Sequence, residues 1–258
     1  MIVVRVFAVS LLAALALACG SEDPGEDNGN STGGTPGGGS SAGGTPGAGG
    51  SSGSPAMSRG PLLPWTVGNS WTYRATEDGT VTTKRTTVGE LEAVGGTGPN
   101  KDKMANVVIT HKNDTGDGVD LDETRSWQAL EGDRVVRYRE QSFSRSTKAL
   151  ELEEFWDPHK LHVDSSAERV AVGATWLESY KENKIRVGGQ ASYDIATNDR
   201  WFVDGVESIT VPAGTFEAVV LRKVSGSMNE KKYWYVPNVG KVKETGGQTE
   251  ELTEYQVN

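Results

Sequence analysis

The 258-residue chain contains a single cysteine, Cys19, and only three histidines. A lone thiol excludes any fold stapled by disulfides within the chain. It also excludes iron–sulfur clusters, zinc ribbons and c-type haem attachment, each of which needs several thiolates. The globular part must therefore hold together by its core. No apolar run has the roughly 17–25 residues of a membrane-crossing helix. The stretch Val6–Ala18 is shorter, and Gly20-Ser21-Glu22-Asp23-Pro24 ends it abruptly. Clustered basic residues are absent as well. The formal charge is −9, and the lysines and arginines are interspersed with acids. A phosphate-binding face needs them gathered, so no nucleic-acid partner is expected.

What the N-terminus does have is a basic residue, Arg5, a short apolar stretch and small residues before Cys19. These are the proportions of a secretory signal peptide. Ala16-Leu17-Ala18-Cys19 resembles the bacterial lipobox, with Ala16 where leucine is preferred. The resemblance implies cleavage between Ala18 and Cys19, an S-diacylglyceryl group on Cys19 and N-acylation of the new terminus. The alternatives are an uncleaved helix and an ordinary secretory cut beside an incidental cysteine. The first is too short, and the second needs the chain's sole thiol to fall at the cut by chance. Gly20 and Ser21 follow the cysteine where aspartate would mark inner-membrane retention, which favours the outer membrane, facing either the periplasm or the exterior.

Residues 19–60 form the second segment. Fifteen of the 33 glycines lie between Gly20 and Gly60, with no aromatic residue, and Gly-Gly-Thr-Pro-Gly occurs at 33–37 and 43–47. Such a tract buries too little apolar surface to offset its ordering entropy. It is expected to be a disordered tether reaching about 35 Å. Gly49-Gly50-Ser51-Ser52-Gly53 matches the G-x-S-x-G nucleophile elbow, but that chemistry requires a strained strand-to-helix turn, not a glycine tract.

From residue 61 to 258 the composition is globular and includes all seven tryptophans, with 24 basic and 31 acidic residues, a formal charge of −7. Alternating segments predict strands. Glu131-Gly132-Asp133 reads as a hairpin turn before Arg134–Arg139. Asp204-Gly205 reads as a hairpin between Trp201–Val203 and Val206–Val211. Val211-Pro212-Ala213-Gly214 and Pro237-Asn238-Val239-Gly240 read as further turns, and Leu252–Val257 as a final strand. Ser146–Trp156 is the one helical candidate, although Leu150 and Leu152 also fit a strand. The expected fold is mainly β: a single antiparallel curved sheet, open barrel or sandwich. The alternative is an α+β half barrel with one or two helices. Val67-Gly68-Asn69-Ser70-Trp71 is echoed by Val172-Gly173-Ala174-Thr175-Trp176, as two related halves or as a common turn used twice.

Pro64-Trp65-Thr66-Val67-Gly68-Asn69-Ser70-Trp71-Thr72-Tyr73 resembles the P-x-x-x-G-x-x-W-x-Y opening of a group of exported bacterial β-domains, many of them lipoproteins. Val211–Phe216 and Tyr233–Val242 resemble the closing half of the same group. The resemblance implies a β-domain of mostly unassigned function. In some members it also implies a lipoprotein-carrier-like sheet around an apolar cavity. It brings no catalytic residue.

Chemistry-bearing constellations are few. His159 and His162 could join Asp157 or Asp164 around a metal if they shared a helix face, but Pro158 favours a surface turn. Asn113–Glu123 resembles a calcium loop, yet Thr115 and Thr124 replace required acids, so a hairpin tip is preferred. Glu153 and Glu154 point apart if they lie in a strand. His111 stands alone. The expected catalytic, metal and cofactor sets are therefore empty. The expected function is a non-enzymatic, lipid-anchored envelope protein with a binding or structural role, its partner an apolar ligand or an envelope protein. The alternatives are a carbohydrate-binding module using exposed Trp71, Trp176 and Trp234, and a hydrolase with an unrecognised site.

Overall fold

The structure is a computed structural model that describes residues 60–113, 121–188, 190–226 and 229–258. Cys19, the tether and the central part of the calcium-like stretch lie outside the described residues. Twelve strands follow one another: β1 Ser70–Glu77, β2 Thr80–Ala93, β3 Met104–Asn113, β4 Leu121–Glu131, β5 Arg134–Phe143 and β6 Leu150–Asp164, then β7 Thr175–Arg186, β8 Gln190–Val211, β9 Gly214–Ser225, β10 Asn229–Val236, β11 Gly240–Thr245 and β12 Thr249–Gln256. Each pairs antiparallel with the next, and β12 returns to β1, with Trp71 opposite Tyr255 and Arg74 opposite Glu251.

The expectation of a mainly β, antiparallel fold agrees with this. The open sheet or sandwich is corrected to a closed barrel, in which pairing β1 with β12 leaves no free edge. The α+β alternative is corrected too, since no helix occurs among the described residues. The candidate helix Ser146–Trp156 is a turn followed by the start of β6. There Ser144 N–H donates to Ala149 O at 2.8 Å and Leu150 opens the strand. The Asp204-Gly205 hairpin is also corrected. β8 runs straight through that dipeptide, and the register shifts between Val203 and Gly205 as in a bulge. The predicted turns at Glu131–Asp133, Val211–Gly214 and Pro237–Gly240 each join the expected strands.

One end of the barrel is closed by the segment that precedes β1. Leu62 and Leu63 are buried, Leu62 N–H donates to Ser165 Oγ at 2.9 Å, and Pro61 O accepts from Asn238 N–H at 2.9 Å. Leu62 and Leu63 join Trp71, Val88, Val136, Leu221 and Leu252 in the main apolar cluster. Gly240 (φ 116°) sits against this cluster, and a Cβ there would lie 2.6 Å from Trp71 Nε1. The sequence echo has a backbone counterpart. Gly68 N–H donates to Val88 O at 2.8 Å and Val88 N–H to Asn69 O at 2.9 Å. Likewise, Gly173 N–H donates to Val203 O and Val203 N–H to Ala174 O, both at 2.9 Å. The same turn thus leads into the first and the seventh strand.

The outer faces carry charge. Arg74 and Lys243 flank Glu251 at 2.5 and 3.3 Å, and Arg222 meets Asp204 at 2.9 Å. A membrane-spanning barrel would place its lipid-facing apolar band at such positions.

Candidate functional site

Strand alternation sends every second side chain into the barrel. Towards the closed end the inward set is apolar. Further along, towards the end carrying the β1–β2 and β11–β12 turns, it turns polar. On β2, Lys84 continues the face of Thr86 and Val88; on β9, Lys223 continues the face of Leu221; on β12, Glu250 continues the face of Leu252. Together with their neighbours these residues line a cavity of about 310 Å³. Its wall holds Lys84, Arg137, Lys160, Lys223, Lys231 and Lys241 beside two carboxylates, Glu244 and Glu250, with His162 and a floor of Trp201, Tyr233 and Tyr235.

Lys241 is the hub of the site. Its ammonium donates to Glu250 at 2.8 Å and also to Glu244; Lys84 reaches Glu250 at 2.7 Å and Lys231 reaches Glu244 at 2.7 Å. Burial pushes both carboxyls up, but the lysines, Lys241 above all, outweigh it and hold them well below the usual carboxylate range. Burial likewise works against the Lys241 ammonium, yet Glu244 and Glu250 together raise it well above its ordinary value. Lys84 has only one carboxylate in contact, so burial wins there and its ammonium is pulled down. Lys223 is also lowered, burial outweighing Asp199 at 3.4 Å. His162 is held well below its ordinary value, first by burial and then by Arg137 and Lys241. Burial and the nearby Glu244 push the Tyr233 hydroxyl up, so the floor stays neutral.

Further carboxylates pair with the cations. Glu140 meets Arg137 at 2.6 Å. Glu182 meets Lys160 at 3.6 Å and Lys184 at 3.4 Å, and accepts from Trp156 Nε1 at 2.9 Å. Two buried donors on the cavity wall, Arg137 Nε and Trp201 Nε1, have no hydrogen-bond partner. The indole of Trp201 stacks between Trp176 and Tyr233, with ring centroids 5.9 and 5.7 Å away.

The residues singled out in the sequence are scattered. His159 and His162 are not on a surface turn but within β6, because the strand continues past Pro158. His159 faces Glu131 at 3.7 Å, while His162 lines the lumen. Asp157 pairs in register with Lys181, and Asp164 accepts from Ser166 N–H at 2.9 Å. Among the described residues no three His, Cys, Asp or Glu side chains come together as a metal site. Glu153 and Glu154 do point apart, to Arg139 at 2.5 Å and to Lys184 at 2.7 Å. His111 lies 3.5 Å from Glu123 on the facing strand, and Asn113 pairs with Leu121, as a hairpin requires. Trp71, Trp176 and Trp234 are 2, 7 and 7% exposed, so they form no sugar platform. The apolar cavity implied by resemblance is corrected as well: the lumen wall is charged.

This lumen was not read from the sequence. Its signal is parity: in β2, β9 and β12, charged residues share the strand face of fully buried apolar ones, a pattern without meaning until the sheet closes. The protein is thus of the closed, twelve-stranded antiparallel barrel class with a polar lumen. No protein-family model and no curated protein matches the sequence. Among solved structures, it is similar to a presumed exported protein with a YmcC-like fold from Bacteroides fragilis. The TM-score is 0.46 and the identity 13%, over 76% of this chain and 99% of that one. It is also similar to a presumed lipoprotein from Parabacteroides distasonis, with TM-score 0.43 and 14% identity over 78% and 100% of the two chains.

Proposed function

We propose that the protein is a non-enzymatic, lipid-anchored binding protein of the bacterial cell envelope, holding a small polar ligand in its barrel lumen. The observation that carries the binding role is the charged cavity of about 310 Å³, with two buried N–H donors on its wall that lack partners.

The anchor rests on Ala16-Leu17-Ala18-Cys19 and the glycine-rich tract after it. Each buried CH₂ of an acyl chain contributes about 0.8 kcal/mol, so two or three chains on Cys19 hold where one would not. Gly20 and Ser21 favour the outer membrane. Radiolabelled palmitate should enter the wild-type protein, and Cys19→Ser should give an unlabelled, unprocessed precursor; label persisting in that variant refutes the anchor. For the lumen, small anions, polyamines and neutral sugars should be compared by thermal shift. At least one class should raise the melting temperature, as binding to the folded state requires. Gln248→Trp, which sets a ring at the cavity wall, should abolish the rise. A flat response to all three classes refutes the lumen as a binding site.

A further inference from the structure

Taking the lumen as the binding site proposed above, we infer that its ligand is a small organic anion, a carboxylate or a phosphate ester. The cavity wall holds more donors than acceptors. Six cationic side chains line the cavity against two carboxylates, and both carboxylates are already engaged: Glu250 by Lys84, Lys241 and Gln248, Glu244 by Lys231 and Lys241. Each ammonium carries three donors and accepts nothing. Lys84 and Lys231 each spend one such bond on a cavity carboxylate, and Lys160 and Lys223 reach theirs only at 3.6 and 3.4 Å. The two unpartnered wall atoms, Arg137 Nε and Trp201 Nε1, are donors as well. A ligand complementary to this wall brings acceptors and negative charge.

Asp199, Glu182 and Glu140 pair with Lys223, Lys160 and Arg137 and lower the net charge around the lumen; none of the three lines this cavity, and Glu140 lines an adjoining one with Lys84, Arg137 and Gln248. A ligand in this cavity therefore meets six cationic side chains against two carboxylates. The stacked Trp201 and Tyr233 give it a flat apolar surface on the other side. Burial already holds the Lys84 and Lys223 ammoniums below their ordinary range, and an adjacent anion would offset that desolvation.

The network also allows a clean test. Lys160→Gln leaves Glu182 its bonds to Lys184 and Trp156, and Lys231→Gln leaves Glu244 its bond to Lys241. The double variant therefore removes two wall cations without stranding a buried carboxylate. Titration calorimetry on the full chain would use citrate and phenyl phosphate, separating carboxylate from phosphate recognition, with spermidine and glucose as comparators. At least one anion should bind, more weakly as ionic strength rises. The double variant should bind it about tenfold more weakly or worse, with its thermal melt showing a folded protein. Should the double variant fail to fold, Lys231→Gln alone tests the point, because that side chain is 41% exposed. Failure of both anions to bind, or equal affinity in the variant, overturns the inference. If spermidine or glucose binds instead, the anion assignment falls and the lumen remains a binding site; if none of the four binds, both fall.

Discussion

Lys241 is a branch point of the lumen network: one ammonium holds two carboxylates, Glu244 and Glu250, both of them buried. Removing it leaves Glu244 with Lys231 and Glu250 with Lys84, each in low-dielectric surroundings. Breaking a buried pair from one side costs about 3–5 kcal/mol. Because each carboxylate keeps one lysine, Lys241→Met should cost less than that yet lower the urea midpoint clearly, two buried contacts being lost, whereas Lys160→Gln, which removes only a contact at 3.6 Å, should shift it little. The same residues set the response to acid. Glu244 and Glu250 have folded values below the ordinary 4.5, so the stability they supply is present above that value and is lost as pH falls through and below it. His162 is depressed from 6.5, so the unfolded chain takes up a proton first and stability also declines below about 6.5. Melting temperatures from neutral to acidic pH should fall in two stages, a shallow one below about 6.5 and a steeper one below about 4.5. A curve unchanged down to pH 4 would contradict both assignments.

At the scale of the strand and its turns, Gly240 connects local conformation to the core. It opens β11 with positive φ and leaves room for the Trp71 ring, whose Nε1 donates to Val239 O at 2.6 Å. Gly240→Ala meets two costs, an unfavourable backbone conformation and a side chain driven against Trp71, about 2–5 kcal/mol together. Gly132→Ala, also at positive φ but with nothing near its Cβ, should cost only about 1–2 kcal/mol. Thermal melts of the two variants separate these contributions. Hairpins whose signals are local were legible in the sequence. Glu131-Gly132-Asp133 and Pro237–Gly240 turn where Gly supplies positive φ between alternating runs. Asp204-Gly205 carries the same local signal but serves a bulge, because β8 is long enough to pair with both β7 and β9 on either side of it. Ser146–Trp156 misled for a related reason: its helical spacing of apolar residues was overridden by pairing of β6 with β5 and β7.

For the whole molecule, an acidic chain encloses a basic lumen. The formal charge of −9 is read from composition. The division of that charge into a mixed outer face and a cationic cavity follows from which strand face each residue occupies. Because the outer face is charged, residues 60–258 alone should enter the aqueous phase in Triton X-114 partition, while the full protein extracted from its native membranes should enter the detergent phase. Detergent partition of the shorter chain would mean that the barrel itself inserts, against the placement of Arg74, Lys243 and Arg222.

By itself the sequence determined the β character of the domain, most of its turns and the exclusion of disulfides, since alternation, glycine positions and thiol number act locally or by count. It also supplies the grounds for reading Cys19 as an anchor. Only the tertiary structure decided that the sheet closes, that the tryptophans are core, and that Lys84, Lys241, Glu244 and Glu250 meet. Those facts depend on register between strands far apart in the chain. A shift of one residue would have sent the same charges outward to water.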